Sequence, residues 1–192
     1  MALLILGLVL FLGVHSTRIV ADGWRSATIA RIGAMPWKGL YSLLSIAGFA
    51  LIVWGFRVAR ADTMVLYAPP LWTRHLAALL LVAAFILLVA AYVPRNGIKA
   101  RLHHPMVLGV KTWAVAHLLA IGVASDVVLF GAFLVWAVFS YRAARRRDRA
   151  SNTVYPAGTA AMTALTVVIG VVAWAVFAFM LHGPLIGVRP FG

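Results

Sequence analysis

The stretch HLAALLLVAAFILLVAAYV, His75 to Val93, decides the fold. Between its ends it has no charged residue, and its only hydrogen-bonding side chain is that of Tyr92. A helix needs roughly 20 apolar residues to cross a bilayer core, and this run supplies nearly that length. Five further runs read the same way: 2–21, 39–57, 107–124, 127–141 and 159–181. Their length and apolar continuity favour helices over strands. The sequence therefore predicts an all-α fold, a polytopic integral membrane helical bundle of about six transmembrane helices, with no soluble domain large enough to fold alone.

Composition agrees. Of 192 residues 64% are hydrophobic and only 11% charged, with a mean hydropathy of +1.00. Soluble domains carry about 25% charged residues. A chain this apolar cannot cover its own surface in water, but hydrocarbon removes the need. The absence of Cys excludes disulfides, iron–sulfur clusters and thiolate chemistry. The acids are only Asp22, Asp62, Asp126 and Asp148, too few for carboxylate-rich metal sites or paired-carboxylate hydrolysis. Histidine is the abundant titratable type, at positions 15, 75, 103, 104, 117 and 182.

The net charge of +13 does not point to nucleic acid, because the basic residues sit mostly between the apolar runs. There they act as topology determinants and lipid-headgroup contacts. The first, third and fifth loops hold eleven Lys and Arg; the opposite side holds four, Arg57, Arg60, Arg74 and Arg189. The odd loops are expected in the cytoplasm, and a bacterial inner membrane location puts both termini in the periplasm. No basic residue precedes the first run and no small-residue cleavage pattern follows it, so it is expected to be a retained span. The fourth and fifth runs are expected to form a tight hairpin around Gly122, Ser125 and Asp126. The chain divides into a five-helix core, 1–145, and a segment, 146–192, of basic loop plus a loosely attached sixth helix.

Ionisable groups at bilayer depth are costly and mark function. His15 and Arg18 lie in the first span, Lys111 and His117 in the fourth. At 1.5 Å per residue His15 is expected roughly 10 Å and His117 roughly 16 Å from the basic side. Within the margin on the span ends, the two imidazoles can face each other at one level. Neutral imidazole is a favoured haem ligand, and bundles hold such sites between facing helices. Arg18, one turn from His15, is placed to pair with a haem propionate. The other reading is equally physical: both histidines hydrogen-bond within the bundle and Arg18 snorkels to headgroups. Thr112, Ala116 and Ala120 at four-residue spacing permit close helix approach, as do Ser42, Ser45 and Gly48. The pair His103-His104 before Pro105 offers a phosphate or metal contact, or a simple helix start.

The ordered motifs Gly13-Val14-His15-Ser16, Lys38-Gly39-Leu40-Tyr41-Ser42, Gly48-Phe49, His104-Pro105-Met106, Gly109-Val110-Lys111, Trp113-Ala114-Val115-Ala116-His117-Leu118-Leu119-Ala120 and His182 with Leu185-Ile186-Gly187-Val188 run through nearly the whole chain. In them the sequence resembles the NnrU family of bacterial membrane proteins. That resemblance implies a link to denitrification, in support of active nitrite and nitric oxide reductases. The family is in turn similar to the zeta-carotene isomerases, haem-containing membrane enzymes. That likeness implies haem b as cofactor, with His15 and His117 as ligands. Ala114 stands where the isomerases have a Cys, so a thiolate ligand is excluded. His103 stands where NnrU members commonly have Arg, which removes a permanent cation at that position.

The expected function is an NnrU-like haem b redox or isomerase-like protein. The alternative is a non-catalytic membrane scaffold or assembly factor for respiratory and denitrification enzymes. His104-Pro105 also faintly resembles a motif of S-adenosylmethionine-dependent membrane methyltransferases. Those enzymes carry acidic residues near their site; this chain has no Glu, and 142–156 is almost wholly basic.

Overall fold

A computed structural model describes residues 1–62 and 64–190. Nine α-helices follow one another: α1 (Ala2–Val20), α2 (Asp22–Ile32), α3 (Ala34–Ala61), α4 (Leu71–Tyr92), α5 (Gly97–Leu102), α6 (Pro105–Ala120), α7 (Ala124–Ala150), α8 (Ala160–Val176) and α9 (His182–Ile186), with a π-helical turn Phe177–Leu181 between the last two. α1, α3, α4, α7 and the continuous α8–α9 segment are long and apolar enough to cross a membrane. α6, at 16 residues, is shorter, about 24 Å along its axis. The expected six spans thus correspond to α1, α3, α4, α6, α7 and α8.

The helices pack as an elongated row. α1, α3 and α7 touch one another; α7 then contacts α6, α6 contacts α4, and α4 contacts α8. α7 is the hinge of this arrangement, and α1 and α6 do not meet. A core of Leu4, Leu8, Ile52, Leu129 and Phe130 sits where α1, α3 and α7 converge. Large apolar side chains such as Ile46, Phe49, Trp54 and Leu79 remain exposed. That pattern suits lipid, where exposure of apolar surface carries no penalty.

Association of helices in lipid rests on close packing. In α3, Gly48 faces the Phe11 backbone, and a Cβ there would lie 2.8 Å from Phe11 N. One heptad on, Gly55 lies against the backbone of Leu3 and Leu4, closer still. This is the close approach expected of Gly48.

Several segments differ from expectation. The first loop folds in part as α2, a helix with no buried residue. Its Arg25, Ile29 and Ile32 share one face by their spacing, and at 11 residues it is too short to register as a span. α3 and α7 run 28 and 27 residues, longer than the expected spans. Charged side chains do not end a helix; they only end its apolar stretch, so α7 continues through the arginine run. The hairpin turn is residues 121–123, and Ser125 and Asp126 lie in the first turn of α7. The last span is docked rather than loose: a Cβ on Gly170 would fall 2.6 Å from Ile86 Cα. Thr163 Oγ1 accepts a hydrogen bond from Gly97 N at 2.8 Å.

At the basic end, α7 carries a polar junction built around Asp148. His104 Nε2 lies 2.8 Å from Asp148 Oδ2, and Arg145 and the Tyr155 hydroxyl each donate to that oxygen at 3.1 Å. His104 thus joins α7 and the loop after it as well as starting α6. Burial works to raise the Asp148 pKa, but the hydrogen bond and charge of His104, with the Tyr155 and Arg145 hydrogen bonds, outweigh it and hold the carboxyl below its ordinary value of 3.8. A carboxyl held down in the folded state contributes stability that is present above the unfolded pKa and lost as pH falls through the folded one. We expect thermal stability in detergent to drop below about pH 4. Asp148→Asn should melt a few degrees lower at neutral pH and lose most of that acid dependence; an unchanged acid limb would contradict this assignment.

Candidate functional site

His15 lies five residues before the end of α1, and its ring is enclosed by aromatic groups. It stacks on Phe11 with centroids 4.2 Å apart, meets Tyr41 at 5.2 Å and meets the edge of Trp136 at 6.2 Å. Its Nδ1 lies 2.7 Å from Phe11 O. A carbonyl only accepts, so Nδ1 carries a proton, which in the neutral ring leaves the lone pair on Nε2. The indole N–H of Trp136 is buried with no hydrogen-bond partner among the described residues.

His117 repeats the local arrangement on α6. Its Nδ1 donates to Trp113 O at 2.9 Å, and its ring stacks on Phe130 at 4.3 Å. In both cases a helix carbonyl four residues back fixes the tautomer, which is how metal-ligating imidazoles are commonly oriented.

The two histidines have different ring partners. On α7, which both touch, the ring partner of His117 is Phe130 and that of His15 is Trp136. Six residues of helix separate those contacts, about 9 Å of rise. Between them the rings form a chain: Phe11 meets Phe133 at 5.9 Å, and Phe133 meets Trp113 at 5.5 Å. His117 instead lies toward the opposite end, where the Tyr67 hydroxyl donates to Leu118 O and Ile121 O. In this packing the ring contacts of the two imidazoles lie at different levels of α7. The depth estimate from span ends missed this because α6 begins at Pro105 and extends only to Ala120, so His117 falls in its last turn.

What the structure does place beside His15 is a cleft of about 490 Å³ between α1, α2 and α3. Sites for cofactors and small molecules commonly span about 300–1,000 Å³. Arg18, Arg25, Trp37, Lys38 and Tyr41 line it with His15. Arg18, one turn from His15, lines the same cleft. Arg25 and Lys38 were legible only as topology charges; the four-residue spacing of Arg25 and Ile29, both lining the cleft, is the signal that would have placed them. Lys111 is exposed on α6. Among the described residues no three His, Cys, Asp or Glu side chains cluster as a metal site.

The model of one protein family, described as NnrU protein, matches residues 3–190. The chain belongs to the NnrU family. The match covers α1 to α9, so the His15 cleft and His117 both lie within the part that defines an NnrU protein. Neither a curated protein nor a solved structure matches the chain.

Proposed function

We propose that this NnrU protein is a haem b protein of the bacterial inner membrane that supports production of active nitrite and nitric oxide reductases. Its basic end faces the cytoplasm, following the charge asymmetry of its loops. The observation that carries the reading is the state of His15: Nδ1 is committed to Phe11 O, Nε2 is left free, and the ring borders a cofactor-sized cleft with three cations. His15 would hold the iron, and Arg18 with Arg25 or Lys38 would pair with the propionates. Haem with one protein ligand supplies an open position for a diatomic gas and a site for one-electron transfer. The chain's own part is to fix the imidazole tautomer and to compensate the acidic edge. The aromatic wall of Phe11, Tyr41 and Trp136 keeps the ring in place. His117 joins such a site only if Trp113 and Phe133 repack.

A second reading has its own support. The rings between His15 and His117 form a continuous packed cluster, as helix-packing residues of a scaffold or assembly factor would. Protein purified from haem-replete cells separates the two. A chromophore that requires His15 supports the haem reading. A colourless, folded protein that copurifies with a respiratory or denitrification enzyme supports the scaffold.

A further inference from the structure

The cleft beside His15 has more positive charge than a metal ligand needs. Arg18 and Arg25 both approach one oxygen, Asp22 Oδ1, at 3.9 and 3.8 Å. Those distances are too long for hydrogen bonds, and Asp22 Oδ1 is buried without a hydrogen-bond partner. Lys38 and the Tyr41 hydroxyl line the same space. Neither has a hydrogen-bond partner among the described residues. Three cations against one carboxylate leave two positive charges in excess. The rest of the wall mixes the apolar Trp37, which is 9% exposed, Ile29 and Ala34 with the small hydroxyl residues Thr17 and Ser42.

The cover of this cleft is α2. It has no buried residue and touches only α1 and α3. Trp24 on α2 meets the edge of Trp37 with centroids 5.8 Å apart. A short helix with Trp and Arg between two spans belongs in the interfacial plane of the bilayer. The cleft beneath it therefore opens where headgroups lie.

We propose that the α1–α2–α3 cleft binds an amphiphile with paired negative charges on an apolar body, admitted from the leaflet at the basic end. Arg18, Arg25 and Lys38 take the acidic groups, Trp37 and Ile29 cover the apolar body, and Asp22 yields its arginines to the ligand. The proposal deepens the haem reading, since a porphyrin with two propionates is one such amphiphile. It also stands without that reading, since a phosphomonoester lipid is another.

The test uses the full chain in nanodiscs or detergent with three probes: hemin, metal-free protoporphyrin IX, and phosphatidic acid set against phosphatidylcholine. Arg25→Ala/Lys38→Ala should weaken a binding probe at least about tenfold. Arg31→Ala, on α2 but outside the cleft, should change little. Asp22→Asn should tighten binding by removing the competing carboxylate, and it needs no loss of fold to be read. His15→Ala should weaken hemin alone. Phosphatidic acid bound without either porphyrin would sustain the clamp and end the haem reading. Hemin that is lost in His15→Ala but indifferent to Arg25→Ala/Lys38→Ala would do the reverse. Equal affinities in the double variant, Arg31→Ala and wild type overturn the proposal.

Discussion

His15→Ala is expected to leave the purified protein without a Soret band, whereas His117→Ala keeps one. The asymmetry follows from geometry. Both imidazoles have the same tautomer, set by hydrogen bonds to Phe11 O and Trp113 O. Only His15 borders the cationic cleft; His117 is stacked on Phe130 six residues along α7 from the Trp136 contact of His15. Removing His15 takes away the only imidazole beside Arg18, Arg25 and Lys38. Removing His117 leaves a gap in the aromatic cluster and should lower stability, without touching the iron. Absorbance per mole of folded protein, judged by size-exclusion chromatography, checks both variants. Equal loss of colour in the two would mean that the helices close further than the packing described above.

Gly55→Leu is expected to prevent the protein from accumulating in the membrane as a folded monodisperse species. Gly55 lies against the main chain of Leu3 and Leu4, and Gly48 against that of Phe11. Ordinary overpacking costs about 1–3 kcal/mol, and side chains absorb part of it by changing rotamer. Main-chain atoms cannot yield in that way without moving α1 as a whole. Separating α1 from α3 would open the cleft and withdraw Leu4 and Leu8 from the core. Gly131→Leu supplies the control, since nothing lies within 4 Å of a Cβ there. Comparable yields for Gly55→Leu and wild type would show that the α1–α3 contact does not hold the bundle together.

Hydropathy carried most of the fold. The runs at 2–21, 75–93 and 159–181 match α1, α4 and α8 closely, because an uncharged apolar run of bilayer length has few other uses. What hydropathy cannot carry is register. Nothing in the sequence of α6 says which residue of α7 will lie beside His117, so depth alone could not show that its ring partner is Phe130 while that of His15 is Trp136. Nor does it distinguish a loop charge that sets topology from one that lines a site. Arg25 and Lys38 read as topology charges; the folding of 22–32 into α2 brings Arg25, and the packing of α3 on α1 brings Lys38, to the cleft beside His15. The junction at Asp148 was hidden for a related reason: a lone acid among Arg145, Arg146, Arg147 and Arg149 reads as a neutralised charge, and Tyr155 gave no spacing signal. The docking of α8 rests on Gly170 and Thr163, small residues that a hydropathy scan passes over.

The most direct test of the central claim is an ultraviolet–visible spectrum of the detergent-purified protein, first oxidised and then reduced with dithionite. A Soret band that disappears in His15→Ala is the predicted result. A folded, monodisperse protein that stays colourless after purification from haem-replete cells would contradict it.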